Sequence, residues 1–203
     1  MIWIITSPER IHEEERIIAA LLSAGASRVL LRKPGWNTEA YVSLLDKINP
    51  DCYRHILIRD QPTLANQYRL AGVHWSGEAK TSGEAEQHSR SNSASHLYSE
   101  SSTGIHSSAE IPSTPKRFST LLLSPVFDSI SKPGYHGLYG GQLANKDDRP
   151  VLALGGVDHT NIIFLKQWHF DGAALLGAIW KTPAKAIENY NRIQQLWNKS
   201  DHM

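Results

Sequence analysis

The 203 residues carry 21 basic and 20 acidic side chains mixed along the chain, a formal charge of +1. No basic stripe suits a nucleic-acid duplex or an anionic membrane, which leaves a small molecule as the expected partner. The single cysteine, Cys52, excludes an internal disulfide, and no Cys/His spacing resembles a zinc site, so a reducing cytoplasm fits best.

The apolar start Met1-Ile-Trp-Ile-Ile5 is too short for a signal segment and lacks a basic flank; it reads as a first strand over residues 1–6. Residues 13–24 place Ile17, Ile18, Leu21 and Leu22 at helical spacing behind acidic residues and stop at Gly25. The alternation continues with a strand over 28–31, a helix over 38–48, a strand over 55–58, a helix over 61–69 and a short strand over 72–74. From 77 to 102 the chain turns rich in Ser, His, Gly and Glu, which predicts a weak or mobile fourth helix and flanks. A fifth strand is expected over 104–106 and a short helix near 108–112. Strands six to eight fall at 120–124, 151–154 and 173–176, with helices at 160–168 and 184–197. Short strands that are apolar on both faces belong to a parallel sheet covered by helices. Eight such units in one domain spanning 1–203 predict a (β/α)8 TIM barrel, with a flavodoxin-like open sheet as the alternative.

Polar residues just beyond the predicted strand ends gather at one mouth of such a barrel: Arg32, Lys33, Arg59, Asp60, Glu78, His106, Ser107, Ser129, Ser131 and Lys132. Gly155, Gly156, Gly177 and Ala178 follow strands seven and eight, where backbone N–H groups commonly cradle a phosphate. Cations, one acid suited to a divalent metal and a separate phosphate cradle predict a substrate with two phosphate-bearing parts. Asp60 has a second reading as the cap of the third helix. His106 reads either as a proton-transfer group or as a satisfied interior histidine, and His74 as structural. Trp36 and Trp75 are candidates to stack on a heteroaromatic ring, whereas Trp168 and Trp197 read as core. The serines between 89 and 113 lack the Gly-x-Ser-x-Gly setting of a nucleophile and read as loop.

The ordered series Leu31-Arg-Lys33, Ile58-Arg-Asp60, Gly72-Val-His-Trp75, Gly104-Ile-His-Ser-Ser-Ala-Glu110, Ser124-Pro-Val-Phe-Asp-Ser-Ile-Ser-Lys132, Leu154-Gly-Gly-Val157 and Gly172-Ala-Ala-Leu-Leu-Gly-Ala-Ile179 resembles thiamine-phosphate synthase and its relative, the thiazole tautomerase. The resemblance spans nearly the whole chain. It implies an enzyme of thiamine biosynthesis that joins hydroxymethylpyrimidine diphosphate to a thiazole phosphate, and so a transferase that releases diphosphate. Arg32 and Lys132 would then hold the diphosphate, with Lys33 and Arg59 as neighbouring cations. Lys132 and His106 would be catalytic, Ser129 and Ser131 would bind substrate, and Gly156, Gly177 and Ala178 would take the thiazole phosphate. Mg²⁺ would sit on Asp60 and Glu78. The alternatives are a tautomerase that uses His106 and no metal, and a non-catalytic binder of thiazole phosphate; a homo-oligomer stays open. The chain departs from the family pattern at Leu30, Pro34 and Arg59, where glutamine, lysine and asparagine are expected. It departs again at Gly104, in place of a serine, and at Ala79, in place of the second magnesium aspartate. Arg59 beside Asp60 weighs against a cation there, because unit charges 4 Å apart interact by about 4 kcal/mol at an effective dielectric of 20.

Overall fold

A computed structural model describes residues 1–82, 99–128 and 141–199. Eight parallel strands close into one barrel in sequence order: β1 (Ile2–Ile5), β2 (Arg28–Leu31), β3 (Ile56–Arg59), β4 (Gly72–Trp75), β5 (Glu100–Ile105), β6 (Thr120–Leu123), β7 (Val151–Leu154) and β8 (Gly172–Leu175). Closure is made by β8 against β1, with Ile2 opposite Ala173 and Ile4 opposite Leu175. This is the expected TIM barrel, and the open-sheet alternative falls because no strand edge is left unpaired around the ring.

The helices between the strands are α1 (Glu14–Ser23), α2 (Thr38–Leu45), α3 (Pro62–Gln67), α4 (Gly77–Thr81), α5 (Phe164–Gln167), α6 (Gly177–Trp180) and α7 (Ala186–Lys199). None of the described helices is long and apolar enough to cross a membrane. Several are shorter than their apolar spacing predicts. The second stops at Leu45 with Asp46 as its cap, and α5 begins only at Phe164 because Asp158 first turns the chain by accepting the Thr160 N–H at 2.7 Å.

Strand alternation sorts the core into two parts. Trp3, Ile5, Leu30, Leu57, Leu122, Leu152 and Ala174 pack inside the barrel, while Ile4, Val29, Leu31, Ile56, Ile58 and Val73 face outward to the helices. A Leu or Ile buried this completely contributes about 1.5–3 kcal/mol relative to exposure. The alternation continues past the strand ends and decides which loop residues face the mouth.

β5 corrects the expected boundary: it starts at Glu100 rather than at 104, inside the stretch read as polar and weak. Its sequence, Glu-Ser-Ser-Thr-Gly-Ile, lacks the apolar run of a buried strand, but its polar groups find partners across the barrel. Arg28 Nε donates to both Glu100 carboxylate oxygens at 2.9 Å, and Thr103 Oγ1 donates to the Trp75 carbonyl at 2.9 Å. Ser102 Oγ lies 3.0 Å from His74 Nδ1. Buried polar groups so paired cost little of what unpaired ones would.

Candidate functional site

Arg32 leaves the end of β2 on the same inward side as Leu30. Its backbone is held by Thr6, whose Oγ1 accepts the Arg32 N–H at 2.9 Å and donates to its carbonyl at 3.3 Å. Burial holds the Arg32 guanidinium below its usual pKa, and the neighbouring Arg59 charge acts in the same direction. Arg59, the last residue of β3, points inward beside Leu57 and donates from Nε to Asp60 Oδ2 at 3.1 Å. The other carboxylate oxygen of Asp60 accepts the Ser76 N–H at 2.9 Å, and the Asp60 N–H donates to the His74 carbonyl at 3.1 Å. Asp60 therefore ties the end of β3 to the start of α4. It does not cap α3, whose N-terminal residue Gln61 makes no side-chain cap.

His74 lies deeper, between β3 and β5. The residue is half-buried, and burial pushes its pKa down to about 4 against the pull of Asp60. Arg59 and Arg32 add to the depression. A neutral ring paired with Ser102 agrees with the structural reading of His74.

Three sequence expectations are corrected by direction. Lys33 is one residue past the inward Arg32 and turns to the outer face, where its ammonium is fully buried and pairs with Glu14 at 2.6 Å. It also donates to the Glu9 carbonyl at 2.9 Å. Burial pushes the Glu14 carboxyl up and the Lys33 ammonium down, and the bond between them opposes both shifts. Lys33 is thus committed to the β2–α1 interface and not available to a substrate in the mouth. Trp36 follows it outward, 5.7 Å from the Tyr41 ring and 4.6 Å below the Arg10 guanidinium. Trp36 lines a flank cavity of about 350 Å³ with Arg10, His12, Ala40 and Lys47, to which no other candidate site residue contributes. Trp75 is buried in the outer core at 4% exposure.

On the opposite side of the mouth His106 is exposed, which removes the interior-histidine reading. Its Nδ1 lies 2.9 Å from the Ser124 carbonyl, an acceptor only, so Nδ1 carries a proton and the singly protonated ring keeps its lone pair on Nε2. The loop that presents it is fixed by Glu110, whose Oε1 accepts the His106 N–H at 2.8 Å and the Ser107 N–H at 3.0 Å. Ser107 Oγ in turn accepts the Ala109 N–H at 3.2 Å, which closes a capping box. Sequence reasoning missed Glu110 as a support of His106, although the Ser107-x-x-Glu110 spacing is its signature.

The glycine cradle is set by a close approach of loops. The Ser124–Pro125 peptide is cis, and the Phe127 N–H donates to the Gly155 carbonyl at 3.0 Å. Gly156 has φ +66°, and a Cβ there would stand 2.1 Å from the Asp128 carbonyl oxygen. Glycine is required here by loop packing. Among the described residues the Gly156 N–H has no acceptor, and Gly177 and Ala178 open α6, where N–H groups lack intrahelical partners. Ser129, Ser131 and Lys132 lie outside the described residues.

Magnesium takes near-octahedral oxygen ligands, usually one or two carboxylates plus substrate phosphates. Both Asp60 oxygens already accept a donor, one of them from a guanidinium. The position of the second acid in the family pattern, Ala79, is buried against the core, and Glu78 is exposed on the first turn of α4. This donor set does not fit a protein-held Mg²⁺.

The sequence matches the Thiamine monophosphate synthase family over residues 2–179. No curated protein sequence is significantly similar. Among solved structures, a thiamine phosphate pyrophosphorylase from Bacteroides thetaiotaomicron is 22% identical, with TM-score 0.73 over 100% of this chain and 99% of that one. A thiamine phosphate pyrophosphorylase from Pyrococcus furiosus is 18% identical, with TM-score 0.76 over 98% of this chain and 96% of that one. A phosphoribosyl anthranilate isomerase from Thermus thermophilus shares the barrel at 17% identity and TM-score 0.56, over 98% of this chain and 99% of that one. At such identities the structures bear on the fold, and it is the match over residues 2–179 that places the chain in the Thiamine monophosphate synthase family.

Proposed function

We propose that the protein acts on a thiazole phosphate in thiamine biosynthesis and that its reaction is a metal-independent proton transfer, as in a thiazole tautomerase. The phosphate takes the N–H groups of Gly156, Gly177 and Ala178. His106 Nε2 accepts a proton from the ring carbon and returns one to the isomerised ring, so that no net proton is gained or lost. The Ser124 carbonyl holds the tautomer that leaves Nε2 free to do so. The observation that carries this reading is Asp60: its two oxygens hold Arg59 and the Ser76 amide, and Ala79 supplies no second acid. Synthases of the family typically depend on magnesium, whereas a tautomerisation needs only the phosphate site and the imidazole.

The second reading is the synthase condensation of hydroxymethylpyrimidine diphosphate with thiazole phosphate, and the adjacent Arg32 and Arg59 favour it as cations for a departing diphosphate. One experiment separates the two. Purified protein is given the thiazole phosphate carboxylate tautomer alone, and separately both synthase substrates, each with Mg²⁺ and with chelator. Isomerisation that survives chelator and is lost in His106→Asn supports the tautomerase. Magnesium-dependent thiamine phosphate would establish the synthase, and binding of the thiazole phosphate without either product would leave a non-catalytic binder.

A further inference from the structure

Inside the mouth, charge is arranged unevenly. Arg32 and Arg59 extend from neighbouring strands to the same inward side of the barrel, each one residue past the register pair Leu31–Ile58 and two past the inward Leu30 and Leu57. Asp60 gives its bonds to Arg59 and to a backbone amide, and none to Arg32. Among the described residues no carboxylate pairs with the Arg32 guanidinium, although the residue is partly buried. Two like charges brought together and partly desolvated are unfavourable without an anion between them. Tertiary contacts nevertheless hold both in place: Thr6 clamps the Arg32 backbone from two sides, and Asp60 fixes Arg59 through Nε, leaving its two terminal nitrogens to donate.

We propose that Arg32 and Arg59 form a metal-free clamp for a substrate oxyanion, occupying the side of the mouth where the family pattern would place magnesium. A guanidinium supplies paired N–H donors that match a carboxylate or phosphate edge and stays charged at any working pH. Asp60 acts here as the orienting partner of Arg59 and not as a metal ligand. The shared ligand chemistry is an anion with two or more oxygens: the carboxylate of the substrate if the tautomerase reading holds, and diphosphate if the synthase reading holds. The clamp itself rests on neither, since it is defined by binding.

The test is calorimetric titration of the full chain with inorganic diphosphate and, separately, with thiazole-2-carboxylate, in chelator and in Mg²⁺ at matched free ligand. Expected is binding of at least one probe that is unchanged by chelator within about twofold and weakened about tenfold or more in Arg59→Gln and in Arg32→Gln, the loss of one charge-assisted pair. Arg59→Lys, which keeps the charge and loses the fork, should fall between wild type and Arg59→Gln, and it keeps the test intact if Arg59→Gln does not fold. The tighter probe names the anion. Binding that appears only with Mg²⁺, wild-type affinity in either glutamine variant, or rescue of Arg59→Gln by Mg²⁺ overturns the clamp. Anion binding without turnover of any thiazole phosphate would sink the proposed reaction and leave the clamp standing.

Discussion

On the β2–β4 side of the mouth Arg32, Arg59, Asp60 and His74 lie within electrostatic reach of one another, and each departure from the family pattern near the metal falls there. On the β5–β8 side His106 stands exposed on a capped loop, and the glycines keep the tight backbone a phosphate cradle needs. One side is built of guanidinium charge tied down by Asp60; the other is built of an imidazole and loop backbone. The contrast is between a side whose properties rest on a few charged side chains and a side whose properties rest on backbone. Metal-linked chemistry depends on carboxylates that a single substitution can disable, whereas a cradle made of backbone survives as long as the loops pack.

The largest effect that sharpens this contrast is expected from His106→Asn. A positioned acid–base group contributes about 100- to 10,000-fold to turnover, and isomerisation measured against thermal stability should show a loss of that size without unfolding. Retained turnover would move the chemistry off the β5 side.

Lys33→Met comes next and should act on stability alone. Leaving Glu14 buried without its partner costs about 3–5 kcal/mol, while the double change Lys33→Met with Glu14→Leu should recover most of it. Denaturant unfolding reads both, and turnover per folded molecule should stay unchanged; a selective loss of substrate affinity in Lys33→Met would return this lysine to the mouth.

His74 predicts a pH dependence on the β2–β4 side. Its folded pKa of about 4 lies below the unfolded value of 6.5, so between these pH values the unfolded chain binds more protons and stability falls as pH drops. The loss is on the order of 3 kcal/mol at most across that window. It should be absent in His74→Asn when unfolding is followed from pH 7 to 4. Equal slopes in the two proteins would show that another group carries the effect.

Gly156→Ala tests the β5–β8 side. Left-handed backbone and a Cβ 2.1 Å from the Asp128 carbonyl require the loops to part, at about 1–3 kcal/mol, and thiazole-phosphate binding should weaken with stability. The smallest effect is expected from Glu78→Ala: the side chain is exposed on α4, and any response of activity to Mg²⁺ should be the same as in the wild type.

Much of the barrel was legible because its strands are short apolar runs with glycine or proline at their ends, and a parallel barrel strand needs to be apolar on both faces. β5 was read short because polar residues replace the apolar run, and only Arg28, His74 and the Trp75 carbonyl on other strands make those residues tolerable. At the mouth, Arg32 and His106 were legible from their place after a strand, but Lys33 and Trp36 were not: one residue of register turns a side chain from the mouth to the flank. Glu110 was within reach through its capping-box spacing.

The eight-unit alternation, the family and the inventory of cations, glycines and imidazoles can be read from the chain alone, since these follow from periodicity, motif order and residue type. Only the tertiary structure decided which charges meet. Asp60 took Arg59 and the Ser76 amide, Lys33 took Glu14, and Glu100 took Arg28 because strand register and side-chain direction bring residues distant in sequence within hydrogen-bond range. An ion pair depends on a few ångströms of separation, a quantity that composition and local spacing do not contain.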